Sequence, residues 1–238
     1  MKNYVRKAVS ISLLVFVTYW ATAQRDWNQV YSKEDITIDT ISKNGYTLVF
    51  INKDSAFDKK VQQRMVDVFF KVYPEEVKIY NPKSLKTVAI IIDPEYKGVA
   101  AASAGIVRVN PDWTHKHPED IDLVTHEVMH IVQSYPDRSG PGWITEGIAD
   151  YVRHKLGVNN AAGGWSLPAF KAEQSYRNAY RVTARFFLWI EKNYSPDLVI
   201  KLDSAMREKK YTPAFWTTET GKTVDELWAR YSENPSIL

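Results

Sequence analysis

Hydrophobic and polar positions change their period near the middle of the chain. Residues 36–41 nearly alternate, Asn44-Gly45 is a hairpin turn signal, and residues 46–51 are β-branched and aromatic, so a β-hairpin is predicted. Residues 56–73 carry Val61, Met65, Val68, Phe69 and Val72 at helical spacing, which predicts a helix ending at Pro74. Residues 87–92 form a continuous apolar run, the pattern of a strand buried on both faces. Two further strands are predicted at residues 98–102 and 105–110. The small side chains of Ala100, Ala101 and Ala102 would let another backbone approach, as an edge pairing with an extended peptide requires. They would equally suit alanines packed under a helix.

Beyond residue 110 the period becomes helical. Pro118 suits a first turn and Glu119, Asp120 and Asp122 suit the positive end of a helix dipole, so a helix is predicted from Pro118. Its Val124, Val128, Ile131 and Val132 would face the core. Residues 136–142 break it and residues 143–156 predict a second helix. Residues 157–175 are rich in Asn, Gly and Ala and read as a long loop beside a cleft. Helices follow at residues 176–192, 197–209 and 223–231, the last with Thr223 as N-cap and Glu226 completing a capping box.

The two central helices carry the chemistry. His126 and His130 in His126-Glu-Val-Met-His130 lie four apart, so both imidazoles can reach one ion while Glu127 leans over the same edge. A catalytic zinc takes three protein ligands and keeps a position for water, whose pKa it lowers. Glu146 on the second helix is the candidate third ligand and Glu127 the candidate general base. Asp150, one turn after Glu146, is placed to accept the free N–H of a ligating histidine and fix its tautomer. With five His and 13 Glu in 238 residues, chance gives this spacing roughly 0.006 times. His115 and His117 read as solvated loop residues with no third ligand at suitable spacing, and His154 as an exposed helix residue.

Composition alters this picture at the start of the chain. Lys2, Arg6 and Lys7, an apolar run over residues 8–20, and Ala21-Thr22-Ala23 predict a cleaved signal peptide at residues 1–23. The apolar run is shorter than the roughly 20 residues that span a bilayer, so no stable membrane insertion is expected. Three of the 31 Lys and Arg fall in that segment, which leaves 28 against 28 Asp and Glu. A formally neutral mature chain gives no reason to invoke nucleic acid or an anionic membrane. With no cysteine, the chain has no disulfide, thiolate ligand, cysteine nucleophile or lipid-anchoring cysteine, and stability must come from the core and the metal. The expected location is a periplasm or the outside of the cell.

The run from Thr125 to Gln133, the run from Gly140 to Arg153, the stretch from Tyr180 to Phe187 and the stretch from Gly221 to Trp228 resemble the basic secretory protein family of plant and bacterial metallopeptidases. The resemblance implies a gluzincin-like zinc site. His126, His130 and Glu146 match the ligands, Glu127 the base and Asp150 the carboxylate behind the ligands. The implied fold is α+β, a zincin-like two-lobed single domain over residues 24–238. Its strand-rich N-terminal half would include the motif helix, its C-terminal half would be helical, and zinc would lie between them. An edge strand beside the zinc would then carry substrate. Tyr180 falls in the matching run and is the candidate stabiliser of the tetrahedral oxyanion, ahead of Tyr176 and Arg181.

The resulting expectation is a secreted zinc metallopeptidase, monomeric, acting on a peptide or protein substrate. The alternative is a secreted peptide- or glycan-binding protein with a structural zinc site, recognising its partner through its many Trp and Tyr. An intact Glu127 argues against the alternative, because a structural site has no use for a base and normally has four protein ligands.

Overall fold

The computed structural model describes residues 32–237, and Glu34–Leu238 form one unit. The predicted signal segment lies outside the described residues. β1 (Thr37–Lys43) and β2 (Tyr46–Asn52) form the expected hairpin, closed by Asn44 and Gly45, both in left-handed backbone. β3 (Thr87–Ile92), β4 (Ala100–Ser103) and β5 (Ile106–Val109) complete a mixed sheet of order β1-β2-β3-β5-β4. β2 and β5 flank β3 in parallel, and β4 returns antiparallel to β5. The apolar run of β3 is buried on both faces, as a strand between parallel neighbours requires. β4 is an edge strand, half-buried in alternation.

α1 (Lys59–Tyr80) begins at Asp58, whose carboxylate accepts the Lys60 N–H. It does not end at Pro74 but runs six residues beyond it. Proline costs a helix interior about 3 kcal/mol, and past it the helix still buries Val77 against the core. Tyr73, Glu76 and Val77 continue the buried stripe of Met65, Phe69 and Val72. The Asn81 side chain then ties the helix end to the Val132 carbonyl.

α2 (Pro111–Lys116) is a short helix where a loop was expected. Asn110 caps it by accepting the Asp112 N–H, and Pro111 takes the first helical position, a start signal visible in the sequence. α3 (Leu123–Gln133) holds the histidines and begins five residues later than predicted. The acids expected to favour its start serve distant partners instead. Glu119 pairs with Arg64, Asp120 with Arg153, and Asp122 accepts the Val158 and Asn159 N–H groups. Val124, Val128, Ile131 and Val132 are buried as expected.

α4 (Gly142–Leu156) follows the predicted break and packs on α3. Residues 157–175 form the long loop. Tyr176–Asn178 is a separate 3-10 turn, closed by a Ser175/Asn178 capping box, so α5 (Tyr180–Asn193) begins four residues after the predicted start. Ala179 and Tyr180, at φ 62° and 49°, make the break. α6 (Leu198–Arg207) and α8 (Val224–Glu233) match expectation, the latter with the Thr223/Glu226 box. α7 (Ala214–Thr220) was not foreseen; it ends at Gly221. The layout is the α+β class read from the sequence, all five strands in the first half with α1 between β2 and β3 and the other helices after them, and α3 packs against α1, α4 and β4. Among the described residues, no helix is long and apolar enough to cross a membrane.

Candidate metal centre

α3 and α4 meet with their polar faces toward each other. His126 Nε2 lies 3.2 Å from His130 Nε2 and 3.3 Å from Glu146 Oε2, and His130 Nε2 is 3.5 Å from the same oxygen. Ligand atoms on a tetrahedral zinc, each about 2.0–2.1 Å from it, stand about 3.3 Å apart. The three candidate ligands therefore have the separations that one zinc ion demands. Among the described residues, they are the group of three His or carboxylate side chains with this arrangement.

The far side of each imidazole explains which nitrogen faces inward. His126 Nδ1 is 2.7 Å from Asp150 Oδ1, the contact expected of Asp150. His130 Nδ1 is 2.7 Å from Gln133 Oε1, and the Gln133 amide donates to the Thr145 carbonyl at 2.9 Å. Both Nδ1 atoms thus donate to oxygens that only accept, which leaves a lone pair on each Nε2. Two lone pairs and a carboxylate oxygen converge with no donor among them. A cation resolves that repulsion, so the residues fit a metal.

Gln133 has no part in the sequence reading beyond its place in the matched run. Its signal was spacing, since a residue three after His130 lies over the same helix face.

The neighbouring carboxylates call for a positive charge here, and a proton can supply it as a metal would. Burial alone would lower the pKa of His126, but Asp150 and Glu146 outweigh it and raise it to about 10, so a metal must displace a proton to reach the Nε2 lone pair. Glu146, despite burial that would raise it, is held down to about 2 by His126 and His130. This is a carboxylate that stays ionised and faces a positive charge.

Glu127 is buried, and its Oε2 has no hydrogen-bond partner. Burial raises its pKa above the usual carboxylate range, the two histidines pull it back, and Glu146 and Asp150 add to the rise. A buried carboxylate with an uncommitted oxygen and a raised pKa is suited to taking a proton.

Tyr180 opens α5 at the mouth of the site. It is 53% exposed, and its ring stacks on His126 at 6.1 Å between centroids. The charge of Glu146, followed by burial, raises its phenol pKa, so it stays protonated. The close approach of α5 to α4 depends on Gly147, where a Cβ would lie 2.3 Å from Thr183 Cγ2. Tyr176 does not share this place; its hydroxyl donates to Asp225. Arg181 lines the cleft beside Tyr180.

These groups open into a cleft of about 1490 Å³, bounded on one side by Ala100, Ala101 and Ala102 of β4. The other histidines lie apart from the ligands: His115 pairs with Asp54 at 2.9 Å, the His117 ring lies tilted against Trp113, and His154 is exposed.

A family described as peptidase of plants and bacteria matches residues 30–231. The chain belongs to that family. This is the family resembled by its motif runs. Solved structures are similar over much of this chain at low identity. A two-domain M1 zinc metallopeptidase bound to L-tryptophan matches at 13% identity and a TM-score of 0.49, over 84% of this chain and 52% of its own. An M1 zinc metallopeptidase from Deinococcus radiodurans bound to a Tyr-Ser-Ala substrate matches at 12% and 0.49, over 84% and 52%. An aminopeptidase N family protein from Idiomarina loihiensis matches at 11% and 0.44, over 84% and 44%. The chain spans about half the length of these structures. No curated protein matches it.

Proposed function

We propose that the chain is a zinc-dependent, gluzincin-like peptidase in which His126, His130 and Glu146 hold the ion. The observation that carries this reading is the convergence of His126 Nε2, His130 Nε2 and Glu146 Oε2 within 3.5 Å of one another, with both Nδ1 atoms engaged behind them. Zinc, when bound, supplies a Lewis acid that polarises a carbonyl and lowers the pKa of water toward neutrality. Three ligands rather than four favour a catalytic over a structural site.

The residues divide the remaining work. Glu127 takes the proton of the attacking water and passes it to the leaving amine, a role suited to its buried, uncommitted oxygen. Asp150 and Gln133 hold the two imidazoles in one tautomer and orientation. Tyr180 donates its phenolic proton to the developing oxyanion. The outer edge of β4 at Ala100, Ala101 and Ala102, where the Ala100 carbonyl accepts from the Tyr96 hydroxyl at 3.1 Å, pairs with an extended peptide and fixes its register across the cleft.

The same proposal places the protein outside the cytoplasm after cleavage behind Ala23, acting as a monomer. Sequencing the amino terminus of protein recovered from the periplasm and the medium checks the first part; a mature chain beginning at Gln24 is expected.

The test of catalysis is a peptide-library digest by zinc-loaded wild type beside Glu127→Gln, read by mass spectrometry, with zinc content measured for both. Glutamine keeps the shape and removes the base, so cleavage should vanish while zinc stays bound. If neither protein cuts anything with zinc in place, the binding-protein reading replaces this one.

A further inference from the structure

The two ends of the cleft differ in chemistry. The cleft lies along α3, and past the carboxyl end of that helix it meets Ser134 and Tyr135. At the amino end it is walled by Trp113, His117, Asp120, Arg153 and Trp165. Leu123, one turn before His126, joins this second end to the candidate ligands. Its walls come from α2 and the turn after it, and from α4 and the loop at 157–175 that follows α4.

They are held together by specific contacts. The Trp113 indole N–H donates to Asp120 Oδ2 at 2.9 Å, and the other oxygen of Asp120 pairs with Arg153. The Arg153 guanidinium lies 4.7 Å from the centre of a Trp165 ring, and the Trp113 and His117 rings are 4.0 Å apart. The loop is seated closely: a Cβ on Gly163 would stand 3.0 Å from the Glu119 carbonyl and 3.1 Å from Asp120 Cα. Side-chain-free backbone there brings Trp165 over the end of the cleft.

Asp120 and Arg153 are 7% and 6% exposed and neutralise each other. A charged side chain entering here would lose water and gain no unpaired opposite charge. Trp113 and Trp165 are half-buried, one against His117 and the other against Arg153, and a small aliphatic side chain would leave what remains exposed of them uncovered. A flat ring covers them and gains aromatic contacts at low cost in side-chain freedom.

We propose that this end of the cleft is the specificity pocket and selects an aromatic side chain beside the scissile bond. The pocket rests on the peptidase reading for its purpose, but not for its ability to bind. The experiment therefore uses cleavage and binding together. Zinc-loaded wild type, Trp113→Ala and Trp165→Ala are given a peptide library, then a Phe peptide and its Ala counterpart at the preferred position. Affinities of the same two peptides for zinc-loaded Glu127→Gln, alone and combined with Trp165→Ala, are measured by calorimetry.

The expected result is an aromatic residue at one fixed position beside the cut, with kcat/KM at least about tenfold higher for Phe than for Ala. Both tryptophan variants should lose most of that ratio while keeping full zinc content. No aromatic enrichment, or a ratio unchanged in both variants, overturns the proposal. If wild type cuts nothing, the peptidase reading fails and binding decides: tighter Phe binding that Trp165→Ala removes upholds the pocket, and equal affinities overturn it.

Discussion

Gln133 places its side-chain oxygen 2.7 Å from His130 Nδ1, the same distance at which Asp150 meets His126 Nδ1. The two candidate ligands are thus oriented by different means, one by a carboxylate on α4 and the other by an amide on their own helix. The amide is itself held by its bond to the Thr145 carbonyl next to Glu146. That carbonyl links the third ligand to the orientation of the second.

Gln133→Ala should therefore weaken zinc binding about 10- to 100-fold, the usual effect of removing a partner behind a ligating histidine. Competition against a chelator of known affinity measures it. An affinity equal to wild type would show that the His130 ring is held by the ion alone.

Tyr180→Phe keeps the ring against His126 and removes only the hydroxyl. Loss of one oxyanion donor costs about 10²–10³ in kcat, so kcat should fall by that much with KM little changed. Steady-state kinetics on one cleaved peptide decide it. A rise in KM with kcat unchanged would make Tyr180 a substrate contact instead.

What could be read in the sequence was what repeats locally. The hairpin at Asn44-Gly45, the buried β3 and the Thr223/Glu226 box each depend on neighbours within a few residues, and each was legible. The nearness of His126 to His130 was legible for the same reason, because four-residue spacing on a helix fixes a common face, whereas the place of Glu146 beside them depends on how α4 packs on α3. The errors arose where distant partners decide. Pro74 reads as a stop unless one knows that Glu76 and Val77 are buried, and Asp120 reads as a helix-start acid unless one sees Arg153 thirty-three residues later. Gln133 had the right spacing but the wrong type, since an amide is not the group one looks for behind a histidine.

Asp122 ties the loop to the motif helix. It is 1% exposed and accepts the Val158 N–H at 2.9 Å, the Asn159 N–H at 2.5 Å and the Thr125 hydroxyl at 3.2 Å. Asp122→Asn has one oxygen for these donors and turns an amide N–H toward a backbone N–H. A buried donor left unsatisfied costs about 1–3 kcal/mol, so unfolding stability should drop by that much. Hydrogen exchange should quicken first in residues 157–175, and uniform exchange across the chain would contradict the anchoring role.

Glu76 gives the chain a pH dependence from inside the core, on the helix that packs against α3. It sits on α1 with no exposure, and neither carboxylate oxygen has a hydrogen-bond partner. Burial raises its pKa well above 4.5, against a smaller opposing pull from His126. The folded state therefore holds a proton that the unfolded chain releases near its ordinary value. Its contribution to stability is fully present below that value and is lost as pH rises toward the folded pKa, by about 1.4 kcal/mol per unit while the folded state keeps the proton. Glu76→Gln has no proton to lose. Comparing urea unfolding of the two proteins at pH 5, 6 and 7 should show the variant gaining on wild type at each step. Parallel curves would mean that Glu76 ionises in the fold and is paired there, and the gain would then be absent at every pH.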